Sequence, residues 1–446
     1  MNKKNVLIVG GGISGVGAAK LAHKLNYNIF VTSTKKIDKK NRDVLLDLGV
    51  QIEEGLQTKK QLKQIDFIIK SPGVPQKIEL LNDARKQNIP IISEIEFASY
   101  NTDSKIIAVT GTNGKTTTSS MLFHILSEAG FSVDLVGNIG KSFSESIVEK
   151  TVENYVVEVS SFQLEDIIQF KPDLSIVLNL TKDHLDRYDN NFQNYIDTKL
   201  RIQMNQSESD VFIYFSKDRN ITDYLDNIKA QKHPFGDLKP VNTNYGAWIE
   251  KDKIIINTQK NNFNMTIHNL ALQGTHNIYN SMAASIAATS LGIKDTVIKK
   301  SLANFKAVEH RLEFVAKVSG VNFINDSKAT NCNAVYYALD SINAPIIWIC
   351  GGIDKGNNYT PLKKFVADKV KSIIYLGNTP KKIESAFKSF VEDIIVVNTM
   401  KDAVRSSYLN ADSGDTVLLS PACASFDLFS NYEERGNAFK SSVLEI

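Results

Sequence analysis

Short apolar runs punctuate the chain, separated by longer stretches whose apolar positions recur at helical spacing. They are VLIV at 6–9, IFV at 29–31, FII at 67–69, IIAV at 106–109, YVVEV at 155–159 and SIVLNL at 175–180. A later series comprises FIN at 323–325, IIWIC at 346–350, SIIYLG at 372–377, IIVV at 394–397 and TVLLS at 416–420. Strands apolar on both faces and alternating with helices belong in parallel sheets covered on both sides, so the expected fold class is α/β. The stretch from about 205 to 270 is more polar, rich in Asn and Lys, and reads as antiparallel hairpins or an insertion. A long helix is expected over 277–291, and domain boundaries are expected near 99–104 and 304–309, each just before a fresh strand.

Composition narrows the functional classes. A chain of 446 residues is too long for one core and implies about two to four domains, with three the best fit. Hydrophobic residues at 42% and charged residues at 23% are ordinary for a globular chain and exclude disordered or fibrous classes. The 52 basic and 49 acidic residues leave a net charge of +3, which gives no footing to nucleic acid or an anionic membrane as principal partner. Cys332, Cys350 and Cys423 are odd in number and far apart, which fits a reducing compartment better than a disulfide framework or a zinc site. Two lysines before residues 6–9 imitate a secretion signal, but glycines break the apolar run at once and no cleavage site follows. No window approaches the ~18 apolar residues of a membrane span. A cytoplasmic protein without membrane insertion is expected.

Two glycine loops carry the first candidate chemistry. Gly10-Gly11-Gly12-Ile13-Ser14-Gly15 is a GxGxxG between a strand and a helix, suited to a pyrophosphate at the helix N-terminus. The second strand ends in Thr32-Ser33-Thr34, without the acid that would hold a ribose hydroxyl, so a diphosphate other than a dinucleotide fits better. Glycines serving only a tight turn remain the alternative. The second loop is more specific: Gly111-Thr112-Asn113-Gly114-Lys115-Thr116-Thr117 follows the strand IIAV and opens an amphipathic run. Backbone N–H groups there face phosphates, Lys115 reaches the terminal ones and the Thr116 hydroxyl can ligate Mg²⁺. The loop departs from strict GxxxxGK[ST], because Val109 stands where the first Gly belongs.

Acids at neighbouring strand ends are the natural companions of a nucleotide and its metal. Glu158 interrupts an otherwise apolar strand, and a buried carboxylate should meet a cation; a solvent-facing position on a half-exposed strand is the other reading. Asn179-Leu180-Thr181-Lys182-Asp183-His184 follows the next strand, where α/β ligand sites form. Alone, His184 reads as structural; beside Lys115 and Glu158 it becomes a candidate ligand. In the last third, charged groups in Glu309-His310-Arg311-Leu312-Glu313 and the stretch from Asn325 to Asn331 are placed to close over a nucleotide from the opposite side. Gly351-Gly352-Ile353-Asp354-Lys355-Gly356 and the stretch from Ser420 to Asp427, by contrast, are small-residue loops able to hold an anionic small molecule. Each is equally a turn when taken singly, and Cys423 reads as a packed thiol rather than a nucleophile.

Taken in order, GTNGKTT, NIG at 138–140, EVSSFQLE, NLTKDHLDRY, GTHNIYN, EHRLE, NDSKATN and SPACASFD resemble the bacterial Mur ligase family over essentially the whole chain. SPACASFD, together with the lack of a DNPR-like motif, resembles its D-glutamate-adding branch. The resemblance implies three domains: a Rossmann-like UDP-sugar-binding domain at 1–98, a central P-loop ATPase-type domain at 99–307 and a Rossmann-like domain at 308–446 for the incoming amino acid. It implies an ATP-dependent ligase joining D-glutamate to UDP-N-acetylmuramoyl-L-alanine through an acyl phosphate, with two Mg²⁺ ions. Carried over by position, Lys115 meets the phosphates, Thr116 and Glu158 hold one Mg²⁺, and His184 with a carbamylated Lys199 surround the second. Asn277, Arg311 and Asp326, with Asn280 nearby, match nucleotide contacts. Ser14, Ser71, Pro72, Gly73 and Asn138 match the UDP-sugar site. Lys328, Thr330, Lys355, Ser425 and Phe426 match the D-glutamate site. Partners are small molecules only, and a monomer is expected. A dinucleotide-dependent oxidoreductase would leave GTNGKTT unexplained, and a non-catalytic nucleotide sensor would not need Glu158, His184 and Lys199 together.

Overall fold

The computed structural model describes residues 3–446 apart from 56–58, 242, 244, 307 and 355. Two compact units result: Met1–Asn269 with Tyr279–Asn304, and Leu270–Ile278 with Phe305–Ile446. The first unit contains two sheets. Strands β1 (Asn5–Val9), β2 (Asn28–Ser33), β3 (Gln51–Glu54), β4 (Phe67–Lys70) and β5 (Ile91–Ser93) form a parallel sheet in the order β3-β2-β1-β4-β5. The chain runs outward from β1 to β3, then returns to β1's other side, and a crevice opens at that reversal.

The second sheet is larger. It is built from β6 (Lys105–Thr110), β7 (Val133–Gly137), β8 (Asn154–Glu158), β9 (Leu174–Val177), β10 (Val211–Phe215), β11 (Gln231–Phe235), β12 (Gly246–Glu250), β13 (Lys253–Asn257) and β14 (Asn262–Thr266). Its order is β14-β13-β12-β11-β10-β9-β6-β8-β7, with the reversal at β6. Only β12, β13 and β14 pair antiparallel, while β10 and β11 extend the parallel sheet. The expectation of hairpins across 205–270 therefore holds for its second half and fails for its first. Polar β11, with sequence QKHPF, gave no apolar signal, and its Pro234 is accommodated because β11 meets β12 at only one residue pair, Phe235 with Ala247.

Within this unit the two sheets share one core. Helix Ile13–Lys24 lies against helix Phe143–Glu149, and Gly17 comes so close that an added Cβ would sit 1.8 Å from Ser142 Oγ. The short helix Glu94–Ser99 spans the two sheets chemically: Ser144 N donates to Glu94 Oε1 at 2.6 Å, and Gln169 N and Phe170 N donate to the Glu96 carboxylate at 2.6 and 2.8 Å. Burial pushes the Glu94 carboxyl up to about 7, against the pull of Ser144, and Glu145 adds to the rise. The folded protein thus keeps a proton that the unfolded chain releases near 4.5, so this group's contribution is complete below that pH and is lost as pH rises through about 7. Glu94→Gln should then gain stability relative to wild type between pH 5 and 8, by roughly 3 kcal/mol at most. A gap in melting temperature that stays constant across this range would contradict it.

In the second unit, β15 (Glu313–Val318), β16 (Val321–Asn325), β17 (Ile346–Gly351), β18 (Val370–Leu376), β19 (Asp393–Val397) and β20 (Thr416–Ala422) form one sheet ordered β15-β16-β20-β17-β18-β19. All pairs are parallel except β15 with β16. The last strand, β20, inserts between β16 and β17, so the loops after β16, β17 and β20 gather at one edge. Among the described residues no helix is long and apolar enough to cross a membrane.

Candidate functional site

Each sheet carries a sequence motif at its point of reversal. In the first, Gly10, Gly12, Ser14, Ser71, Pro72 and Gly73 line one cavity of about 460 Å³. The close approach is enforced by glycine: a Cβ on Gly15 would lie 1.9 Å from the Gly10 carbonyl oxygen, and Gly10 itself has φ +106°. Ser33 and Thr34 reach the same cavity, so hydroxyls stand at the rim where an acid was sought.

In the second sheet, the loop 111–114 leaves β6 and enters helix Lys115–Glu128. Gly114 caps that helix at φ +86°, and a Cβ there would lie 2.5 Å from Asn280 Oδ1, so an L side chain is doubly opposed. Asn179, just past β9, braces the loop: its carbonyl accepts from Thr112 N at 2.7 Å and its side-chain oxygen accepts from Asn113 N at 2.9 Å. Thr112 Oγ1 also lies 2.9 Å from Tyr195 OH. Lys115 Nζ donates to the carbonyls of Gly111 and Thr112, both at 2.8 Å. Thr116 and Thr117 lie buried in the first helical turn.

Lys199 approaches the same loop from helix Phe192–Leu200, donating to the Gly111 carbonyl at 2.9 Å and Thr110 Oγ1 at 3.3 Å. Two lysines thus converge on one carbonyl. Burial, then the neighbouring Lys115 charge, holds the Lys199 amine well below the usual lysine range. Glu158 ends β8 with 1% exposure, which removes the solvent-facing reading. Its Oε1 accepts from Asn138 Nδ2 at 2.8 Å and its Oε2 from Ser119 Oγ at 3.5 Å. Asn138, expected at the sugar nucleotide, is therefore also a direct partner of Glu158. His184 sits at φ +51°, heading the short turn Leu185–Tyr188, with its ring 5.1 Å from that of Phe162. Positive φ at a non-glycine residue is uncommon and marks places worth functional attention.

Mg²⁺ prefers hard oxygen ligands, and the buried Thr116 hydroxyl and Glu158 carboxylate supply them. No group of three or more His, Cys, Asp or Glu suited to a metal occurs among the described residues. Thr116 and Glu158 are thus the oxygen donors there, while Lys199 brings an amine to the same loop.

The second unit collects the remaining candidates. Asp326 follows β16, accepts from Ser420 Oγ at 2.8 Å and from Leu312 N at 3.3 Å, and has its carboxyl pushed up to about 7 by burial, against the pull of Ser420 and Arg311. Lys328 lies over the Tyr432 ring at 4.9 Å, and Thr330 closes the same turn through its N–H to the Lys328 carbonyl at 3.0 Å. Ser425 is buried in the loop after β20, and the neighbouring Phe426 is 66% exposed. Asn277 donates to the Gln273 carbonyl at 2.9 Å within the segment that joins this unit. His310, Leu312 and Ala422, all in these motif loops, have positive φ. Lys355 lies outside the described residues. Cys423 is buried and its thiol is pushed up to about 11 by burial, as a packed thiol requires.

One residue escaped the sequence reading. Arg435 is buried in helix Tyr432–Leu444 and ties the loops together, donating to Ser327 Oγ at 3.0 Å, the Ser327 carbonyl at 2.8 Å and the Cys423 carbonyl at 3.1 Å. In the polar run YEERGNAFK nothing distinguishes it from a surface arginine.

Three family models match consecutive parts of the chain: the Mur ligase MurD-like N-terminal domain at 4–93, the Mur ligase middle domain at 109–288 and the Mur ligase, glutamate ligase domain at 310–423. A protein of Christiangramia forsetii named UDP-N-acetylmuramoylalanine--D-glutamate ligase is 45% identical over 442 residues, covering 99% of both chains. One of the same name from Bacteroides fragilis is 45% identical over 446 residues, covering 99% of this chain and 100% of the other. Among solved structures, UDP-N-acetylmuramate-alanine ligase MurC from Thermotoga maritima has a TM-score of 0.61 at 19% identity, with 100% of both chains covered. The MurF ligase of the same organism, in complex with ADP, has a TM-score of 0.61 at 16% identity, covering 94% of this chain and 95% of that one. At those identities the structures speak for the fold alone, but the sequence relatives and family models decide the family. The chain belongs to the Mur ligase family.

Proposed function

We propose that this protein is an ATP-dependent amide-forming ligase that adds D-glutamate to UDP-N-acetylmuramoyl-L-alanine in peptidoglycan precursor synthesis. The observation that carries this reading is end-to-end likeness, at 45% identity, to relatives named for that reaction. Activation is chemically necessary, because a carboxylate does not acylate an amine at neutral pH. The muramoyl-alanine carboxylate attacks the γ-phosphorus of ATP, giving an acyl phosphate and ADP. The D-glutamate amine then attacks the acyl carbon, the C–O bond to phosphate breaks, and inorganic phosphate leaves as the nitrogen loses a proton.

In this reading the three parts 1–98, 99–307 and 308–446 bind the sugar nucleotide, ATP and the amino acid. The cavity at Gly10 and Ser71 takes the UDP end. Lys115 exchanges the Gly111 and Thr112 carbonyls for phosphate oxygens, and the loop N–H groups orient them; phosphoryl transfer asks for little beyond such positioning and neutralisation. Thr116, Glu158 and His184 hold Mg²⁺, which supplies charge neutralisation on the phosphates. Lys199 serves as a carbamate, and its depressed basicity favours the neutral amine that reacts with CO₂. Arg311, Asp326 and Asn277 face the nucleotide, while Lys328, Thr330, Lys355, Ser425 and Phe426 face the amino acid. The protein works as a cytoplasmic monomer on small molecules.

Phosphate release with UDP-N-acetylmuramoyl-L-alanine as acceptor tests the assignment. D-glutamate should support turnover, while L-glutamate, L-lysine and diaminopimelate should not. Comparable rates with diaminopimelate would move the chain to another branch of the family.

A further inference from the structure

A buried cluster of charge lies beside the glycine-lined cavity, and the reaction described above makes no use of it. Lys70 closes β4, and its side chain is 0% exposed, with Nζ 3.2 Å from Glu165 Oε2 and 3.1 Å from Asp166 Oδ2. The same Nζ donates to the Val74 carbonyl at 3.3 Å. Arg187 grips Glu165 with both Nε and an Nη atom, at 3.1 and 2.8 Å. That Nη atom also donates to the Val74 carbonyl at 2.7 Å and the Pro72 carbonyl at 3.4 Å. Gln76 completes the cluster, donating to Glu165 Oε2 at 2.9 Å and Asp166 Oδ2 at 2.7 Å. Burial pushes the Glu165 carboxyl up, but Arg187 and Lys70 outweigh it and hold it below its ordinary range.

Two cations and two carboxylates balance here, yet stability is a weak reason for burying them, since apolar residues of similar size often serve a core as well or better. What the charges do provide is direction. Pro72 and Val74 belong to the turn that lines the cavity. Arg187 belongs to the same short turn that His184 heads, and its guanidinium lies 4.7 Å from the Phe162 ring, whose centroid is 5.1 Å from that of His184. One side chain therefore touches the wall of the cavity and the loop bearing His184. We propose that Arg187, seated by Glu165 and Lys70, is a positioning residue that fixes the 71–76 turn relative to the His184 loop, and so aligns the bound sugar nucleotide with the phosphate loop.

The proposal rests on the reading of the substrate as UDP-N-acetylmuramoyl-L-alanine. It is tested on the full-length enzyme with Arg187→Lys and Glu165→Gln, reading KM for the sugar nucleotide, KM for ATP and the affinity for ADP measured without sugar nucleotide. Lysine keeps the charge but cannot span a carboxylate and two carbonyls at once. Each variant should raise the sugar-nucleotide KM by about 10- to 100-fold, with ADP affinity within about twofold of wild type. The double variant should be little worse than the poorer single one, because the two groups act together. A sugar-nucleotide KM unchanged in both variants would overturn the proposal, as would ADP affinity and KM deteriorating in parallel with the melting temperature. If Arg187→Lys does not fold, the near-isosteric Glu165→Gln carries the same readout. A wild-type enzyme inert towards UDP-N-acetylmuramoyl-L-alanine and D-glutamate would defeat the functional reading and this proposal with it; an active wild type with indifferent variants would defeat this proposal alone.

Discussion

Lys199→Ala should lose about 10²- to 10³-fold in turnover, and added acetate should return part of it. In the role proposed for it beside Mg²⁺, Lys199 would not serve as the cation it is in water, because an ammonium group would be repelled and has no lone pair to give. It lies buried under the phosphate loop, and burial together with Lys115 lowers its basicity, which favours the neutral amine. Addition of that neutral amine to CO₂ forms an N–C bond and releases one proton, turning an uncharged group into a carbamate anion with two hard oxygens. Acetate can occupy the space vacated by alanine and present the same kind of oxygen. Lys199→Arg should stay inactive with or without acetate, because guanidinium does not form the carbamate and fills the site with a fixed charge. Activity of Lys199→Ala close to wild type, in buffer free of carboxylates, would end this account.

The glycine loops proposed for this chemistry were legible as loops because each is local in sequence. A strand, a glycine turn and a helix follow one another directly, and the crowding at Gly15 comes from the Gly10 carbonyl five positions earlier, although that at Gly114 comes from distant Asn280. Glu158 was legible for a related reason: a carboxylate inside an apolar strand contradicts its surroundings, and contradiction is visible in one dimension. The cluster around Lys70 offered no such signal. Lys70 and Arg187 are 117 positions apart, each is an ordinary charge in its own segment, and only the folded chain shows that they share Glu165. Arg435 was hidden in the same way, as one charge among several in a polar helix.

The strands missed by periodicity were those whose burial comes from their position in a sheet rather than from their composition. β11 contains His233, buried with both ring nitrogens lacking hydrogen-bond partners and its basicity lowered to about 4 by burial, and also a proline, two features that argue against a strand. Its parallel pairing with β10 over five residues overrides both. Strand-loop-helix units that are local in sequence were therefore expected where the fold has them, whereas contacts between loops had to await the fold.

Lys115→Met should lower kcat/KM by about 10²- to 10³-fold, and it should also reduce the carbamate proposed for Lys199. The first effect follows from the loss of the cation proposed to meet the phosphates, and methionine keeps the length and helix compatibility while removing the charge. The second follows from the convergence of both lysines on the Gly111 carbonyl. The Lys115 charge helps to depress the basicity of Lys199, so removing it lets Lys199 hold its proton more tightly and leaves less neutral amine for CO₂. The lost cation also withdraws electrostatic support from the carbamate anion, and both changes act in the same direction. Carbon-13 NMR of protein equilibrated with labelled bicarbonate reads the carbamate directly, without requiring turnover. Wild type should show the signal, Lys199→Ala should lack it, and Lys115→Met should show it weakened, recovering as pH is raised to free the amine. A signal in Lys115→Met as strong as in wild type at the same pH would show that the two lysines act independently, and the low activity of that variant would then belong to ATP alone.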